Sequence, residues 1–337
     1  MSRVATIVLN WNGIEDTERC LNSIYKQIYK KQTVILVDNG STERGTQKKI
    51  KALKQKYPNL IVLNNQKNLG FAGGVNTGIK YALKNSFDFI ALLNNDAVAD
   101  KNWLLELIEA QKKHDSGITT GLLLHSDGKT IDSTGDWCSI WGLPFPRDRN
   151  KSTKEASRSG FVFSGSGGAS LYSIEMLQEV GLFDEAFFAY YEDTDISFRA
   201  QLYGWKVYYT DKAIAYHKQG ATSDKIPGFT IEQTFKNLPL FIIKNIPITL
   251  LPSVGLRFWL AYTLMFGNAV KKGVGWSALK GFLRHIAIFW SNSLWKRFVI
   301  QRQKKVSNVY IKDILWPDLP PDQTGLRKFR SLFTSKY

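Results

Sequence analysis

Short apolar runs separated by longer polar stretches dominate the first hundred residues of this chain. Four runs of four to six residues, rich in Val, Ile and Leu, have the length and composition of buried strands. They are Val4–Leu9, Val34–Val37, Leu60–Leu63 and Phe89–Leu93. The stretches near residues 43–57, 72–84 and 102–113 have helical spacing. This alternation predicts an α/β fold in which a mostly parallel, doubly wound sheet carries helices on both faces.

Polar side chains follow three of these runs at the point where each run ends. They are Asn10 and Asn12 after the first run, Asp38 and Asn39 after the second, and Asn94, Asn95 and Asp96 after the fourth. A single polar residue after a strand is usually a turn former or a helix cap. Ligands of doubly wound sheets bind outside the carboxyl ends of the strands, so three clusters together predict a ligand site at this edge.

The Asn94-Asn95-Asp96 segment places two oxygen-bearing side chains two positions apart at a strand end. Mg²⁺ and Mn²⁺ prefer oxygen ligands, usually one or two carboxylates together with phosphate oxygens of the substrate. The segment therefore fits a cation site, although an Asx-turn would use the same residues. His217 follows a strand-like run and would join such a site only if its strand end faces Asp96.

An acidic cluster, Glu192, Asp193 and Asp195, stands at the start of a predicted helix. Acids favour helix N-termini, and Asp195 with Arg199 has the i, i+4 spacing of an ion pair. Two tyrosines precede the acids and would partly desolvate them. Because desolvation raises a carboxyl pKa toward the range useful for a general base, the cluster fits both a structural and a catalytic role.

The net charge of +16 is concentrated in the last third of the chain. Residues 226–337 carry 17 Lys and Arg against 4 Asp and Glu, whereas residues 1–225 carry 28 against 25. We therefore expect a nearly neutral catalytic or binding domain over residues 1–225. A basic helical segment, residues 226–337, would meet an anionic partner.

The basic segment combines this charge with aromatic and apolar residues, and it has no acidic residue between Gln233 and Lys312. Its longest uncharged stretches, Asn245–Leu256 and Phe258–Val270, are shorter than the roughly 20 residues of a spanning helix. The composition predicts amphipathic helices lying on an anionic membrane surface over residues 230–311, with a helical subdomain packed on the core as the alternative. The apolar content argues against nucleic acid as the partner.

An ordered set of motifs resembles family 2 of the glycosyltransferases, and most of all its rhamnosyltransferase-like members, which build bacterial surface polysaccharides. The motifs are Val8-Leu-Asn-Trp-Asn12, Val37-Asp-Asn-Gly-Ser41, Asn68-Leu-Gly-Phe-Ala-Gly-Gly-Val-Asn76, Leu92-Leu-Asn-Asn-Asp96, Gly181-Leu-Phe-Asp-Glu185, Tyr191-Glu-Asp-Thr-Asp195 and His217. The resemblance covers roughly residues 4–223. It implies that residues 1–225 form a catalytic domain with a nucleotide-sugar half at about 1–130 and an acceptor half at about 131–225. It implies a GT-A fold and an inverting transfer from a dTDP- or UDP-sugar, with dTDP-rhamnose as the first expectation and a UDP-hexose as the alternative.

The resemblance also implies roles for individual residues. The donor nucleotide would be held by Asp38 at the pyrimidine, with Asn10 and Trp11 in the same pocket, and Asn68 and Asn76 would flank the turn that contains Gly70. The metal, Mg²⁺ or Mn²⁺, would be held by Asp96 and His217, with Asn94 beside it. Asn94 and Asn95 would also contact the nucleotide sugar. Asp193 would be the catalytic base, and Glu192 would orient the acceptor. The motif carries Asn rather than Asp at position 94, which removes one charged ligand.

The resemblance further implies a glycan acceptor, linked to polyprenyl diphosphate, and a cytoplasmic enzyme bound peripherally to the inner face of the cell membrane. A nucleotidyltransferase would also combine a doubly wound sheet with acidic metal ligands. It would be expected to carry a glycine-rich basic signature after the first strand. Here the corresponding turn, Asn10–Gly13, is followed by no basic residue before Arg19. This difference favours the glycosyltransferase.

Overall fold

The computed structural model describes residues 2–218 and 226–321, together with residues 323, 325, 327 and 328; of residues 291 and 292 it describes the backbone alone. The expected domain boundary at residue 225 lies outside the described residues. The chain divides into two compact units. Unit 1 comprises Met1–Asp136, Pro146–Gln201 and Trp205–Ile226, and unit 2 comprises Trp137–Phe145, Leu202–Gly204 and Pro227–Tyr337. Unit 2 thus includes two short segments that the expected division assigns to the catalytic domain.

The first hundred residues form the parallel half of the sheet in unit 1. The strands are β1 (Val4–Asn10), β2 (Gln32–Asp38), β3 (Ile61–Asn64) and β4 (Phe89–Leu93), and the helices between them are α1 (Ile14–Tyr25), α2 (Thr46–Lys56) and α3 (Gly70–Leu83). The strands are ordered β4-β1-β2-β3 and all pair in parallel. The four expected strands are therefore confirmed. The β1–β2 register ends with Asn10 opposite Asp38, which brings two of the expected site residues together.

The second half of unit 1 extends this sheet with antiparallel strands. The elements of residues 97–217 are β5 (Ala97–Ala99), α4 (Trp103–His114), β6 (Ile118–His125), β7 (Ile131–Ser133), β8 (Asp136–Cys138), β9 (Pro144–Pro146), β10 (Gly160–Val162), β11 (Ala169–Ser173), α5 (Ile174–Val180), α6 (Glu192–Leu202) and β12 (Val207–His217). Of these, β8 and β9 pair with each other in a separate two-stranded sheet and belong mostly to unit 2. Strand β11 pairs antiparallel with β4 and with β6, and β12 runs parallel to β6. The sheet is thus mixed, and β4-β1-β2-β3 form the parallel part that was expected from the sequence.

The sheet is buried because its strands are nearly continuous runs of aliphatic residues, as expected of strands covered on both faces. Helix α1 packs on it through Ile14, Leu21 and Ile24, which recur at helical spacing and are almost fully buried. Trp103, at the start of α4, is completely buried in the same core. This rigid layer fixes the carboxyl ends of β1, β2 and β4 at one edge.

Unit 2 is mainly helical. Its helices are α7 (Phe229–Asn245), α8 (Leu251–Lys271), α9 (Gly275–Ile288), α10 (Leu294–Arg302) and α11 (Asn308–Ile314), with a π-helical turn at Phe289–Ser293 between α9 and α10. Helix α7 is buried along most of its length. Helix α9 approaches it closely at Gly281, where a Cβ atom would lie 2.2 Å from the Glu232 carbonyl oxygen. No helix in the described part of the chain is long and apolar enough to cross a membrane.

Candidate active site

A carboxylate with three hydrogen-bond donors lies at the carboxyl end of β2. Asp38 is almost fully buried, and its Oδ1 accepts hydrogen bonds from Asn10 Nδ2 at 3.0 Å and from Ser41 Oγ at 2.6 Å. Its Oδ2 accepts one from Gln47 Nε2 at 2.7 Å. Trp11 is half-buried next to Asn10. These donors fix the orientation of the Asp38 carboxylate at the edge where a ligand would bind, and two of them, Ser41 and Gln47, were not among the expected residues.

The start of α3 is held by a small amide network. Asn68 Oδ1 accepts a hydrogen bond from the Gly70 N–H at 2.8 Å and another from Asn39 Nδ2 at 3.0 Å. Gly70 has φ +72°, and a Cβ atom there would lie 2.3 Å from the Phe188 carbonyl oxygen. Glycine is needed because the loop that precedes α6 contacts the backbone of α3 at this point.

Asn76, one turn and a half further along α3, is also buried. Its Nδ2 donates to the Phe183 carbonyl at 2.8 Å, and its Oδ1 accepts from the Phe183 N–H at 3.2 Å. The same Nδ2 lies 3.1 Å from Glu185 Oε1. Asn76 therefore connects α3 to the turn at residues 181–185. Both polar atoms of its side-chain amide form hydrogen bonds with that turn.

The ends of β4 and β12 bring Asp96 and His217 together. Strands β5 and β12 pair with His217 opposite Ala97, so the His217 ring faces the Asn94–Asp96 segment. His217 Nε2 lies 3.1 Å from Asp96 Oδ1 and 3.4 Å from Asn94 Nδ2. On the other side of the ring, Nδ1 lies 2.8 Å from Oδ2 of Asp132, the central residue of β7. Asp132 was not predicted, because nothing in the sequence around a three-residue strand indicates where it pairs.

The environment of His217 suits a metal ligand. Burial opposes the charged ring, but the hydrogen bonds with Asp132 and Asp96 raise the pKa of His217 to about 9. A carboxylate on Nδ1 orients the imidazole and directs Nε2 toward a cation, as is usual for metal-bound histidines. No group of three His, Cys, Asp or Glu side chains within the described residues is arranged to hold a metal. Two protein ligands with substrate phosphate oxygens still fit Mg²⁺ or Mn²⁺, because these ions are commonly held that way.

Asn95 turns away from this pair and connects the two ends of the site. Its Nδ2 donates to Thr17 Oγ1 at 3.1 Å and to the Gly13 carbonyl at 3.3 Å. Thr17 Oγ1 in turn donates to Asn10 Oδ1 at 2.9 Å, and Asn10 holds Asp38. The Asn95–Thr17–Asn10–Asp38 series is a continuous hydrogen-bonded connection from the segment beside Asp96 to the carboxylate expected to meet the pyrimidine.

The acidic cluster separates into two environments on α6. Asp195 is fully buried, and its Oδ2 lies 2.9 Å from Nε of Arg199, so the expected i, i+4 ion pair is confirmed. Asp193 accepts hydrogen bonds from the Gly167 N–H at 2.8 Å and from the Thr194 N–H at 2.7 Å. Burial raises the pKa of Asp193, while these backbone donors act in the opposite direction. Glu192 is buried at the first position of the helix.

The loop that leads into α6 has an unusual backbone. Phe188, Tyr190 and Tyr191 all have left-handed φ values of 62°, 70° and 69°. Non-glycine residues rarely adopt this region, and aromatic residues there are strained. Such strain is concentrated at active sites and ligand clamps in folded proteins. The strain makes the residues immediately before Asp193 candidates for a functional segment.

Comparison with known proteins identifies the family of this chain. The family model for glycosyl transferase family 2 matches residues 6–181, just over half of the chain. An N-acetylglucosaminyl-diphospho-decaprenol L-rhamnosyltransferase of Mycobacterium tuberculosis is 25% identical over 248 residues, which cover 67% of this chain and 79% of that protein. A poly-beta-1,6-N-acetyl-D-glucosamine synthase of Staphylococcus aureus is 26% identical over 211 residues, covering 61% and 47%.

The fold has relatives among solved structures. A mannosyltransferase from Pyrobaculum calidifontis, solved in complex with GDP-Man and Mn²⁺, superimposes with a TM-score of 0.54 at 15% identity. The match covers 89% of this chain and 79% of that one. It supports the mixed sheet with flanking helices as a GT-A fold. The family match and the fold together show that the chain belongs to family 2 of the glycosyltransferases and is a glycosyltransferase.

Proposed function

We propose that this enzyme transfers rhamnose from dTDP-rhamnose, with inversion, to a glycan acceptor carried on polyprenyl diphosphate, during synthesis of a bacterial surface polysaccharide. The observation that carries the proposal is the shared sheet edge of unit 1. There Asp38 lies at the end of β2 and the Asp96–His217 pair lies just beyond β4, and these two strands flank β1 on its two sides. The choice of donor and acceptor is based on the rhamnosyltransferase relative, which is 25% identical. A UDP-hexose is the alternative donor, because one carboxylate would recognise uracil and thymine alike.

The donor would lie along the edge with its pyrimidine at Asp38 and its diphosphate toward Asp96. The Asp38 carboxylate, fixed by Asn10, Ser41 and Gln47, would accept the imide N–H of the base. An open cleft beside Asp96 is lined by Arg19 and Lys218, and also by Asp16, which forms ion pairs with both of these cations. Cations there would attract the diphosphate, whose charge increases as the sugar leaves.

Asp193 would act as the general base. It would accept the proton of the acceptor hydroxyl as that oxygen forms a bond to the anomeric carbon from the side opposite the nucleotide. The bond between the anomeric carbon and the phosphate oxygen breaks, and its electron pair leaves with the nucleoside diphosphate. A raised pKa makes Asp193 a stronger base than an exposed carboxylate, while the Gly167 and Thr194 N–H groups keep its ionised form accessible.

A divalent cation, Mg²⁺ or Mn²⁺, would supply charge to the leaving diphosphate when bound. Asp96 and His217 would hold it, with Asn94 beside them, and Asp132 would orient His217. The protein itself holds the Asp96 carboxylate and His217 Nε2 close together before a ligand binds.

Unit 2 would dock on an anionic membrane at the cytoplasmic face. Large apolar side chains are exposed along one face of α8, at Leu256, Leu260 and Val270, and along α9 and α10. No acidic residue lies between Gln233 and Lys312, where basic residues are frequent. Exposed apolar stripes of this kind are rare on soluble proteins and suit the membrane interface, where nearby basic residues bind anionic lipid.

Release of nucleoside diphosphate tests the proposal. The purified chain is incubated with Mn²⁺, a polyprenyl-diphosphate-linked amino sugar in anionic vesicles, and either dTDP-rhamnose or UDP-hexoses. We expect acceptor-dependent release of dTDP from dTDP-rhamnose, at least tenfold faster than UDP release from any UDP-hexose. A strong preference for UDP donors would reject rhamnose but retain the family activity. Release of pyrophosphate from a nucleoside triphosphate would instead indicate a nucleotidyltransferase.

A further inference from the structure

A four-residue loop, Gly165-Ser-Gly-Gly168, lies between β10 and β11 and contacts two residues of the candidate site. We refer to it as the 165–168 loop. The Gly167 N–H donates to Asp193 Oδ2 at 2.8 Å, and the Gly168 carbonyl accepts a hydrogen bond from the Asn94 N–H at 2.9 Å. Two adjacent residues of one loop therefore contact the proposed base and the segment that would hold the metal.

The loop is packed tightly against both side chains. A Cβ atom at Gly167 would lie 3.1 Å from the Asp193 Cβ atom, and one at Gly168 would lie 3.2 Å from Asn94 Nδ2. Both distances are below the roughly 3.5–4.0 Å of an ordinary contact between carbon atoms, so glycine is needed for so close an approach. A shift of the loop would therefore change the positions of Asp193 and Asn94 relative to each other.

Two hydroxyl groups of the sheet hold the backbone of Ser166, inside this loop. Ser170 Oγ donates to the Ser166 carbonyl at 2.6 Å, and the Ser166 N–H donates to Thr120 Oγ1 at 3.4 Å. The two hydroxyls lie 2.9 Å apart, because Ser170 and Thr120 stand opposite each other on β11 and β6. Each hydroxyl has a single hydrogen, so Thr120 donates to Ser170 when Ser170 donates to the carbonyl. A closed ring of three hydrogen bonds thus satisfies both polar backbone groups of Ser166.

Burial makes this ring hard to replace with water. Thr120 is 1% exposed and Ser170 is fully buried, whereas Ser166 itself is half-buried. Without the Thr120 hydroxyl, the Ser166 N–H would have to remain unpaired or move to another acceptor, and an unpaired buried donor is unfavourable. The loop would then leave its present position, and its contacts with the candidate site would move with it.

We propose that Thr120 and Ser170 are positioning residues for the transfer reaction, which set the place of Asp193 relative to Asn94 through the backbone of Ser166. Both side chains are buried, so they act through the loop rather than by touching a substrate. Displacing a reacting group by about 1 Å can slow a reaction by about 100-fold, so small movements of this loop matter. The inference rests on the proposed role of Asp193 as the base.

Thr120→Val tests the inference, because it removes the hydroxyl and keeps a side chain of similar shape. Thr119→Val is the matched control. Thr119 precedes Thr120 on β6, is fully buried, and its Oγ1 lies 2.8 Å from Ser116 Oγ. Successive residues of a strand point to opposite faces, so this second hydroxyl pair lies on the other face of the sheet. Each variant loses one buried hydrogen-bonded hydroxyl, so both should unfold at a similarly lower temperature.

The two variants should differ in turnover. Thr120→Val should lower kcat for acceptor-dependent release of nucleoside diphosphate by about tenfold or more, whereas Thr119→Val should stay within about twofold of wild type. Donor affinity, measured by calorimetry, should be unchanged in both. Thr120→Ser keeps the hydroxyl and should recover most of the lost rate. Equal turnover of Thr119→Val and Thr120→Val would overturn the inference, and so would a Thr120→Ser variant as slow as Thr120→Val.

Ser170→Ala is the second variant, to be used if Thr120→Val does not fold. It removes the donor to the Ser166 carbonyl and should also lower kcat while donor affinity is unchanged. Tyr172, two residues further along β11, interacts with Ser170 as well, so this variant changes more than one neighbour. Wild-type turnover by Ser170→Ala would count against the ring.

Hydrogen exchange of the full-length chain without substrate gives a readout that does not depend on sugar transfer. In peptides that cover residues 165–168, amide hydrogens should exchange about tenfold faster or more in Thr120→Val, and at the wild-type rate in Thr119→Val. Unchanged exchange in Thr120→Val would overturn the inference even if Asp193→Asn is inactive. Near-normal turnover by Asp193→Asn would instead reject the proposed base, and the positioning role with it, so the two failures can be told apart.

Discussion

Asp193 and Asp195 stand two positions apart on α6 but have different environments. Asp195 is paired with Arg199 inside the protein, whereas Asp193 faces the backbone of Gly167 with a raised pKa. Sequence spacing identified the ion pair correctly and left the function of Asp193 open. The difference between the two residues can be measured, because removing the charge of each should affect a different property.

Asp193→Asn should reduce sugar transfer by at least about 100-fold, because general base catalysis contributes that much or more. Donor affinity, measured by calorimetry, should stay within a few-fold of wild type, since the residues proposed to bind the nucleotide lie at other strand ends. In contrast, Asp195→Asn should lower the free energy of unfolding by about 3–5 kcal/mol, because it leaves the Arg199 charge buried without its partner. Near-normal turnover by Asp193→Asn with its physiological acceptor would contradict the assignment.

Metal binding at His217 should depend on pH. Without metal, burial opposes protonation, but Asp132 and Asp96 raise the pKa of His217 to about 9, so a cation at Nε2 must displace a proton. Affinity for Mn²⁺ should therefore rise about tenfold per pH unit between pH 7 and 9, with proton release detectable by calorimetry in buffers of different ionisation enthalpy.

Protonation of His217 also makes the stability of the metal-free protein depend on pH. His217 adds stability below its ordinary pKa of 6.5, and this contribution is lost as the pH rises through about 9.

His217→Gln should remove the pH dependence of Mn²⁺ binding. It should also weaken binding of the donor, and Asp96→Ala should weaken donor binding in the same way. Unchanged activity in EDTA would count against a metal here, and Lys67 or Lys218 would then be the groups to test as neutralising the diphosphate.

At the scale of elements, the continuous run of α9, the π-helical turn and α10 displays apolar residues to the outside. Trp276, Trp290 and Trp295 are 68%, 76% and 67% exposed, and they lie among Lys and Arg side chains. The sequence predicted amphipathic helices in this region, but it could not tell which apolar residues pack on α7 and which face outward. That distinction comes from the crossing at Gly281, which turns one face of α9 toward α7.

Replacing Trp290 and Trp295 together with serine should weaken binding to vesicles that contain phosphatidylglycerol. We expect at least a tenfold loss of affinity in co-sedimentation, since burial of one large apolar side chain contributes about 1.5–3 kcal/mol and 1.4 kcal/mol is tenfold. Phe161→Ser is the control, because Phe161 is 50% exposed on β10 in unit 1. Equal retention of wild type and double variant would reject this face as the docking surface.

At the scale of the whole molecule, the sequence predicted the parallel part of the fold better than the rest. Aliphatic runs over residues 4–93 locate β1 to β4 because buried parallel strands leave a strong local signal. Residues 137–160 lack periodicity, yet they contain β9 and border β8 and β10. Strands of three residues are too short to show alternation, and their partners lie far away in the chain.

Some residues of the candidate site could likewise be predicted from the sequence, and others could not. Residues at the ends of long strands, such as Asp38 and Asp96, could be selected from the sequence because parallel strands bring their carboxyl ends together. Asp132 could not, since its position depends on the pairing of β7 with β6. Tertiary contacts of this kind have no local sequence pattern.

The charge of the molecule is as unevenly distributed as its apolar surface. Most of the net positive charge belongs to residues 226–337. Attraction to anionic lipid acts over about one Debye length, so raising the salt concentration should release the protein from vesicles even when its tryptophans are intact. Vesicle binding that is unchanged by salt would show that the apolar face alone retains the protein.

The left-handed backbone of Phe188, Tyr190 and Tyr191 has a consequence for how such an enzyme can change over evolutionary time. Each strained residue lowers the stability of the fold by about 1 kcal/mol or more, so a lineage selected only for heat resistance would tend to replace them. Their presence beside Asp193 fits a compromise between thermal stability and the geometry of the proposed base. Laboratory selection for thermostability would then accumulate substitutions at these three positions first, at the expense of turnover.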